Sequence, residues 1–286
     1  MRCVDLSANI GLQSRLNLDT GEIDFEGVKH QTIVRTVRDI IEAGVFFDAK
    51  TIPKSSLDNV ICWIYRLIDD DNVLRLQGLS PPTDQGYKYD MTVLLPYNKI
   101  AANWTGEFPK TTGHYHLPMP GKTTASPDFY QIAYGAGQMI LQQKKGNLVR
   151  AFRLSPAVLD PVIIAPEFGH TAVNIGEDPL VFCNICVRSP HLDYVNIRKF
   201  HGAPSYVCRD PNGAAKIVEN PHYAQAGITV EKLMDLEPSF DLLLKHGIVP
   251  GKPLYTYIGE HKLEFLLQPE LYLGLFSTAL KPRIEI

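Results

Sequence analysis

Between Lys29 and Phe47 the apolar residues Ile33, Val34, Val37, Ile40, Ile41 and Val45 recur at near-helical spacing, with Gly44 near the end of the run. One amphipathic helix is predicted there. From Val60 to about Val187 the texture changes to short β-branched and aromatic runs at 59–68, 89–96, 129–134, 138–143, 148–154, 161–165 and 179–187, separated by Gly, Pro, Asn and Asp. Many short strands at that spacing predict a mainly β chain built as an antiparallel barrel or sandwich. After about Ala226 the pattern breaks again, and Val230–Leu236 and Phe240–Lys245 read as helical. The expected organisation is an N-terminal arm and helix over 1–58, a β-barrel over 59–226 and a partly helical C-terminal extension over 227–286. Leu79–Gly86 and Pro118–Pro127 are rich in turn-forming residues and read as exposed loops, the second placed to act as a lid.

At 286 residues and 45% hydrophobic composition the chain can bury one substantial core. A net charge of −3 gives no global attraction toward nucleic acid or an anionic membrane, so the expected partner is a small molecule. The N-terminus lacks a signal-like apolar stretch, and no run approaches the roughly 20 apolar residues that cross a bilayer. A cytoplasmic protein is expected, and five thinly spread cysteines fit a reducing compartment better than a disulfide framework. Cys183-Asn184-Ile185-Cys186 has the spacing of half a zinc or redox motif but lies in a strand-like run. Strand side chains three apart point to opposite faces, so these are read as buried structural thiols. Gly135-Ala136-Gly137 joins two strand-like runs with no helix after it, which predicts a hairpin turn rather than a nucleotide loop. Asn103-Trp104-Thr105 is a glycosylation sequon by letters only, and His30, His201, His222, His246 and His261 lack ligand-like spacing.

The candidate chemistry begins at Gly113-His114-Tyr115-His116, where strand alternation puts both imidazoles on one face, close enough to chelate one cation. Asp128-Phe129-Tyr130-Gln131-Ile132-Ala133-Tyr134-Gly135 then supplies a carboxylate, a strand and a glycine turn. Pro166-Glu167-Phe168-Gly169-His170-Thr171-Ala172-Val173-Asn174 supplies a third histidine. This order resembles the two motifs of the cupins, double-stranded β-helix (jelly-roll) barrels. The resemblance implies one divalent metal ion on His114, His116, His170 and Asp128. Such a nitrogen-and-oxygen set suits Fe²⁺, Mn²⁺, Ni²⁺ or Zn²⁺.

Within the cupins, several stretches are similar to the archaeal-type, metal-dependent glucose-6-phosphate isomerases: Asn17-Leu18-Asp19-Thr20-Gly21, Tyr89–Leu94, Lys110–His116, Gly135-Ala136-Gly137-Gln138-Met139-Ile140-Leu141-Gln142, Ala165–Gly176 and Asp193-Tyr194. The likeness runs from about Asn17 to Tyr223 and leaves the C-terminal extension uncovered. It implies reversible interconversion of glucose 6-phosphate and fructose 6-phosphate, with Thr92, Thr111 and Gly113 at the phosphate and Tyr130 and Tyr194 along the sugar. It also implies a homodimer. In the family a metal-side glutamate is the candidate base; Asp128 stands there one methylene shorter, as ligand or catalytic base, with Glu167 expected to face solvent. Cys62 and Cys186 stand where the resemblance expects tyrosines, and Leu192 where it expects a histidine, His191 lying one place away. Those departures keep open a different metal-cupin enzyme acting on another sugar phosphate, and a non-catalytic sugar-binding cupin. A substrate screen separates the former from the isomerase, and binding without turnover identifies the latter.

Overall fold

The computed structural model describes residues 2–26, 30, 32–66, 86–101, 104, 106–188, 190–260 and 262–283. The loop expected at Leu79–Gly86 therefore lies outside the described residues except for Gly86, as do Lys29, Asn103, Thr105 and His261. Near the N-terminus Cys3–Asp5 (β1), Arg15–Asn17 (β2) and Ile23–Asp24 (β3) form a small antiparallel sheet. The next strands are Thr32–Thr36 (β4), Val60–Tyr65 (β5), Tyr87–Leu94 (β6), Tyr115–Leu117 (β7), Asp128–Tyr134 (β8), Gly137–Lys145 (β9), Leu148–Leu154 (β10), Pro161–Ile164 (β11), Gly169–Asn174 (β12) and Leu180–Val187 (β13). They are followed by His191–Asp193 (β14), Ser205–Arg209 (β15), Ala215–Glu219 (β16), Thr229–Val230 (β17), Met234–Pro238 (β18) and Leu280–Pro282 (β19).

Two six-stranded sheets carry the architecture, one in the order β11-β8-β13-β6-β5-β4, the other β12-β9-β10-β18-β19 with β17 also on β10. This is the mainly β, cupin-like arrangement expected, although the sheets are two separate layers rather than one closed barrel. Alternation sorts the side chains of β6: Tyr87, Tyr89, Met91 and Val93 point to one core, while Leu94 joins another with Tyr130, Leu141, Phe152 and Phe182. The first core is capped by both ends of the chain, through Leu6, Ile10 and Leu16 on one side and Tyr257, Phe265 and Phe276 on the other. Because both its faces are covered, β13 is buried along its whole length and reads as a continuous apolar run. Cys183 belongs to this first core and Cys186 lines the cavity described below, so the two thiols occupy opposite faces, and burial pushes both up.

Three local expectations are corrected. The helix predicted over Lys29–Phe47 is β4 followed by a short helix, Val37–Glu42, because Thr36 and Asp39 form a reciprocal capping box that starts the helix there. Ile33 and Val34 serve the sheet edge instead. Val230–Leu236 is not helical: β17 and β18 run parallel to β10, so pairing overrides the local pattern, while Phe240–Lys245 is a helix as read. Gly135-Ala136-Gly137 is no hairpin, since β8 and β9 belong to different sheets; it is the corner between them. Gly135 has φ +86, and a Cβ there would sit 2.5 Å from the Pro179 carbonyl oxygen.

Candidate metal centre

The two distant histidine motifs meet through the backbone. His114 and His170 form an antiparallel β-bridge, with His114 N–H donating to His170 O at 3.2 Å and His170 N–H donating to His114 O at 3.0 Å. Gly113 makes the turn into this bridge at φ +78, where a Cβ would lie 2.1 Å from Thr171 Oγ1. His116 follows on β7, which pairs with β14, and Asp128 opens β8. Asn174, at the end of β12, ties the two sheets together by donating to Leu94 O (2.8 Å) and Asp178 O (3.0 Å) while its Oδ1 accepts from Gly176 N–H (2.9 Å).

One ligating atom from each of His114, His116, Asp128 and His170 lies within 4.8 Å of the others. His114 Nε2 is 3.3 Å from His116 Nε2, and Asp128 Oδ2 is 3.3 Å from His116 Nε2 and 3.9 Å from His170 Nε2. Asp128 Oδ1 accepts from Asn184 Nδ2 at 3.0 Å, which fixes the carboxylate with its second oxygen toward the histidines. Burial, with neighbouring imidazoles adding to it, holds His114 well below its ordinary value. Burial likewise lowers His170 to about 4, against the pull of Asp128. Asp128 goes the other way: burial raises it, but His116, His170 and Asn184 together hold it below the usual carboxylate value. Burial thus favours neutral imidazoles at His114 and His170, and the neighbours of Asp128 keep it ionised, so these groups and His116 form a nitrogen-and-oxygen donor set that fits a divalent cation.

These residues face a cavity of about 320 Å³. Thr92, Thr111, Gly113, Tyr130 and Tyr194 all line it, as do Cys62, Cys186 and Leu192, while Glu167 is exposed and does not. Tyr130 Oη lies 3.1 Å from His170 Nε2, and burial followed by the Asp128 charge holds the phenol well above its ordinary value, so it remains protonated. Tyr194 packs its ring 5.4 Å from that of His114. His191 is exposed on β14, whereas Leu192, opposite His116, turns inward.

Sequence reasoning missed a buried ionic group on the same wall. Asp90, fully buried, takes Arg66 Nη1 at 2.5 Å and Lys88 Nζ at 2.6 Å. Alternation in Lys88-Tyr89-Asp90-Met91-Thr92 was the available signal: with the tyrosine and methionine facing the first core, the charged residues had to face the other way, toward the cavity. Lys110, in the motif before His114, is also committed, its Nζ lying 2.5 Å from Glu107 Oε1.

A sequence profile described as "Glucose-6-phosphate isomerase (GPI)" matches residues 76–224. A glucose-6-phosphate isomerase of Thermococcus onnurineus is 28% identical over 221 residues, covering 77% of this chain and 99% of that protein. One of Pyrococcus abyssi is 31% identical over 155 residues, covering 54% and 75% respectively. Among solved structures, an oxalate oxidase bound to glycolate overlaps 53% of this chain and 63% of its own at 11% identity and TM-score 0.33. The oxalate decarboxylase of Lactobacillus farciminis overlaps 46% and 30% at 17% identity and TM-score 0.29. By the profile match, which spans just over half its residues, and by relatives matched over most of their length, this chain belongs to the glucose-6-phosphate isomerase family, in its archaeal-type cupin form.

Proposed function

We propose that the protein interconverts glucose 6-phosphate and fructose 6-phosphate, with one divalent metal ion held by His114, His116, Asp128 and His170. The observation that carries this reading is the convergence of those four side chains on the wall of a 320 Å³ cavity in a chain of this family. Aldose–ketose isomerisation moves a hydrogen between adjacent carbons, and a bound Fe²⁺, Mn²⁺, Ni²⁺ or Zn²⁺ supplies the positive charge that stabilises the developing oxyanions.

The chain's own groups do the rest. Burial keeps the His114 and His170 imidazoles neutral and their lone pairs free of protons at working pH. Asn184 takes one oxygen of Asp128, so Oδ2 is the atom left to bind the cation or to carry a proton. Tyr130, protonated, offers a hydroxyl hydrogen to a sugar oxygen. Thr92 and Thr111 present hydroxyls, and Gly113 a close backbone approach, to the phosphate. Cys62, Cys186 and Leu192 on the same wall favour one second reading, isomerisation of a different sugar phosphate.

The test is a coupled assay in both directions with metal-loaded protein, run beside a panel of aldose and ketose phosphates. Turnover of the glucose and fructose phosphates, lost in His114→Ala, supports the reading. Metal uptake without turnover of that pair removes the isomerase assignment and leaves the metal-binding cupin. The homodimer is checked by sedimentation, where a single species near twice the 32.0 kDa chain supports it and a monomer refutes it.

A further inference from the structure

Among the described residues four cationic side chains line the cavity, Arg35, Arg66, Lys110 and Arg198. Two are ion-paired within the chain, Arg66 with Asp90 and Lys110 with Glu107; Arg198 makes no ion pair among the described residues but lies at 5.5 Å over the ring of Tyr194, which packs on His114 and so places it at the metal end. Arg35, exposed on β4, makes no hydrogen bond or ion pair among the described residues. The nearby carboxylate that feels its charge, Asp39, is occupied by Thr36, whose N–H and hydroxyl donate at 2.6 and 2.9 Å. Directly across the β4–β5 pairing from Arg35 stands Cys62, a small side chain whose thiol burial pushes up to about 12, so it carries no counter-charge.

The register locates this guanidinium relative to the rest of the site. Ile33, Ile64 and Thr92 form one row across β4, β5 and β6, and Arg35, Cys62 and Leu94 form the next row on the same face. In the other direction, Asp90, Asn184 and Tyr130 form the row beside the metal-ligating carboxylate. Four residues of strand, about 13 Å at roughly 3.3 Å per residue, separate the Asp90 and Leu94 rows. Side chains reach inward from both, so a six-carbon chain can bridge them. The uncharged groups assigned to the phosphate, Thr92, Thr111 and Gly113, leave a group of about −1.5 to −2 charge without a cation. A guanidinium is the donor whose fork matches phosphate oxygens.

We propose that Arg35 supplies the cationic contact to the substrate's phosphate, at the end of the cavity opposite the metal ligands, and so selects phosphorylated over neutral sugars. This rests on the sugar-phosphate reading above. The experiment compares Arg35→Ala and Arg35→Lys with the unsubstituted protein in three measurements: steady-state kinetics with glucose 6-phosphate, calorimetric binding of inorganic phosphate, and metal content. The expected result for Arg35→Ala is a KM increase of about 10- to 100-fold that exceeds any fall in kcat, with phosphate binding weakened in parallel and metal content unchanged. Arg35→Lys restores part of both. An unchanged KM and unchanged phosphate binding in Arg35→Ala overturn the proposal, as does a loss confined to kcat or shared equally by Arg35→Lys. If the unsubstituted protein does not isomerise glucose 6-phosphate, the functional reading falls, and phosphate binding alone decides whether Arg35 is an anion site.

Discussion

Replacing Asp128 by Asn probes the centre with almost no change of shape. The side chain is 2% exposed, with Oδ1 accepting from Asn184 Nδ2 at 3.0 Å and Oδ2 facing two histidine nitrogens at 3.3 and 3.9 Å. An amide nitrogen at the first position would set donor against donor with Asn184, so the amide is forced to present its oxygen to Asn184 and its N–H groups to His116 and His170. The variant therefore loses the one anionic donor of the four and also caps the lone pairs that a cation needs. Outer-shell partners of metal ligands are typically worth about 10–100-fold in affinity, so losing a direct ligand costs at least about 100-fold, or roughly 2.7 kcal/mol at about 1.36 kcal/mol per decade. Competition titration against a chromophoric chelator, with elemental analysis, measures this, and isomerase turnover falls with the bound metal. Retention of one ion per chain at an affinity within about threefold of the parent protein refutes the reasoning.

In metal-free protein the lowered His170 makes stability depend on pH. The folded state binds fewer protons than the unfolded one between about 4 and 6.5, so the contribution is fully present above about 6.5 and is lost as pH falls toward 4. The loss is about 3 kcal/mol, read by urea denaturation of chelated protein across that range, and a flat profile contradicts it. Gly113→Ala should lower metal affinity at least about tenfold, because the new Cβ meets Thr171 Oγ1 and displaces the turn into His114. Gly121→Ala, with a similar φ of +79 but nothing within 4 Å, is the control and should keep the metal; equal losses in both would assign the effect to backbone strain alone. Asn174→Ala removes two donated bonds and one accepted bond in a fully buried position and should destabilise by about 2–4 kcal/mol in chemical denaturation. A change under about 0.5 kcal/mol would show that Asn174 does not hold the sheets together.

Several strands of the two large sheets were legible as short runs with apolar residues between turn-forming ones: β10 spans 148–154 as read, and β8, β9, β11 and β13 lie within one or two residues of the expected ranges. A strand with a polar sequence escaped. Gly169–Asn174 looks like a polar motif, and its pairing with β9 makes it a strand, while a separate bridge from the same strand joins His170 to His114. The stretch from Ile33 to Val45 carries both a period-2 edge strand and a helical face, and the Thr36 cap that divides them is a local hydrogen-bond pattern that hydrophobic spacing cannot see. In the site, His-x-His spacing announced itself because alternation alone puts both rings on one side. Asn184 and the Arg66–Asp90–Lys88 group were hidden, because their meaning comes from cross-strand neighbours: Asn184 lies opposite both Asp90 and Tyr130.

Anomalous diffraction at the metal's absorption edge, from crystals of the full chain loaded with one divalent ion, tests the account most directly. The account predicts one peak per chain, at roughly 2.0–2.3 Å from the ring nitrogens of His114, His116 and His170 and from an oxygen of Asp128. A peak elsewhere, or one that leaves any of the three imidazoles uncoordinated, contradicts it.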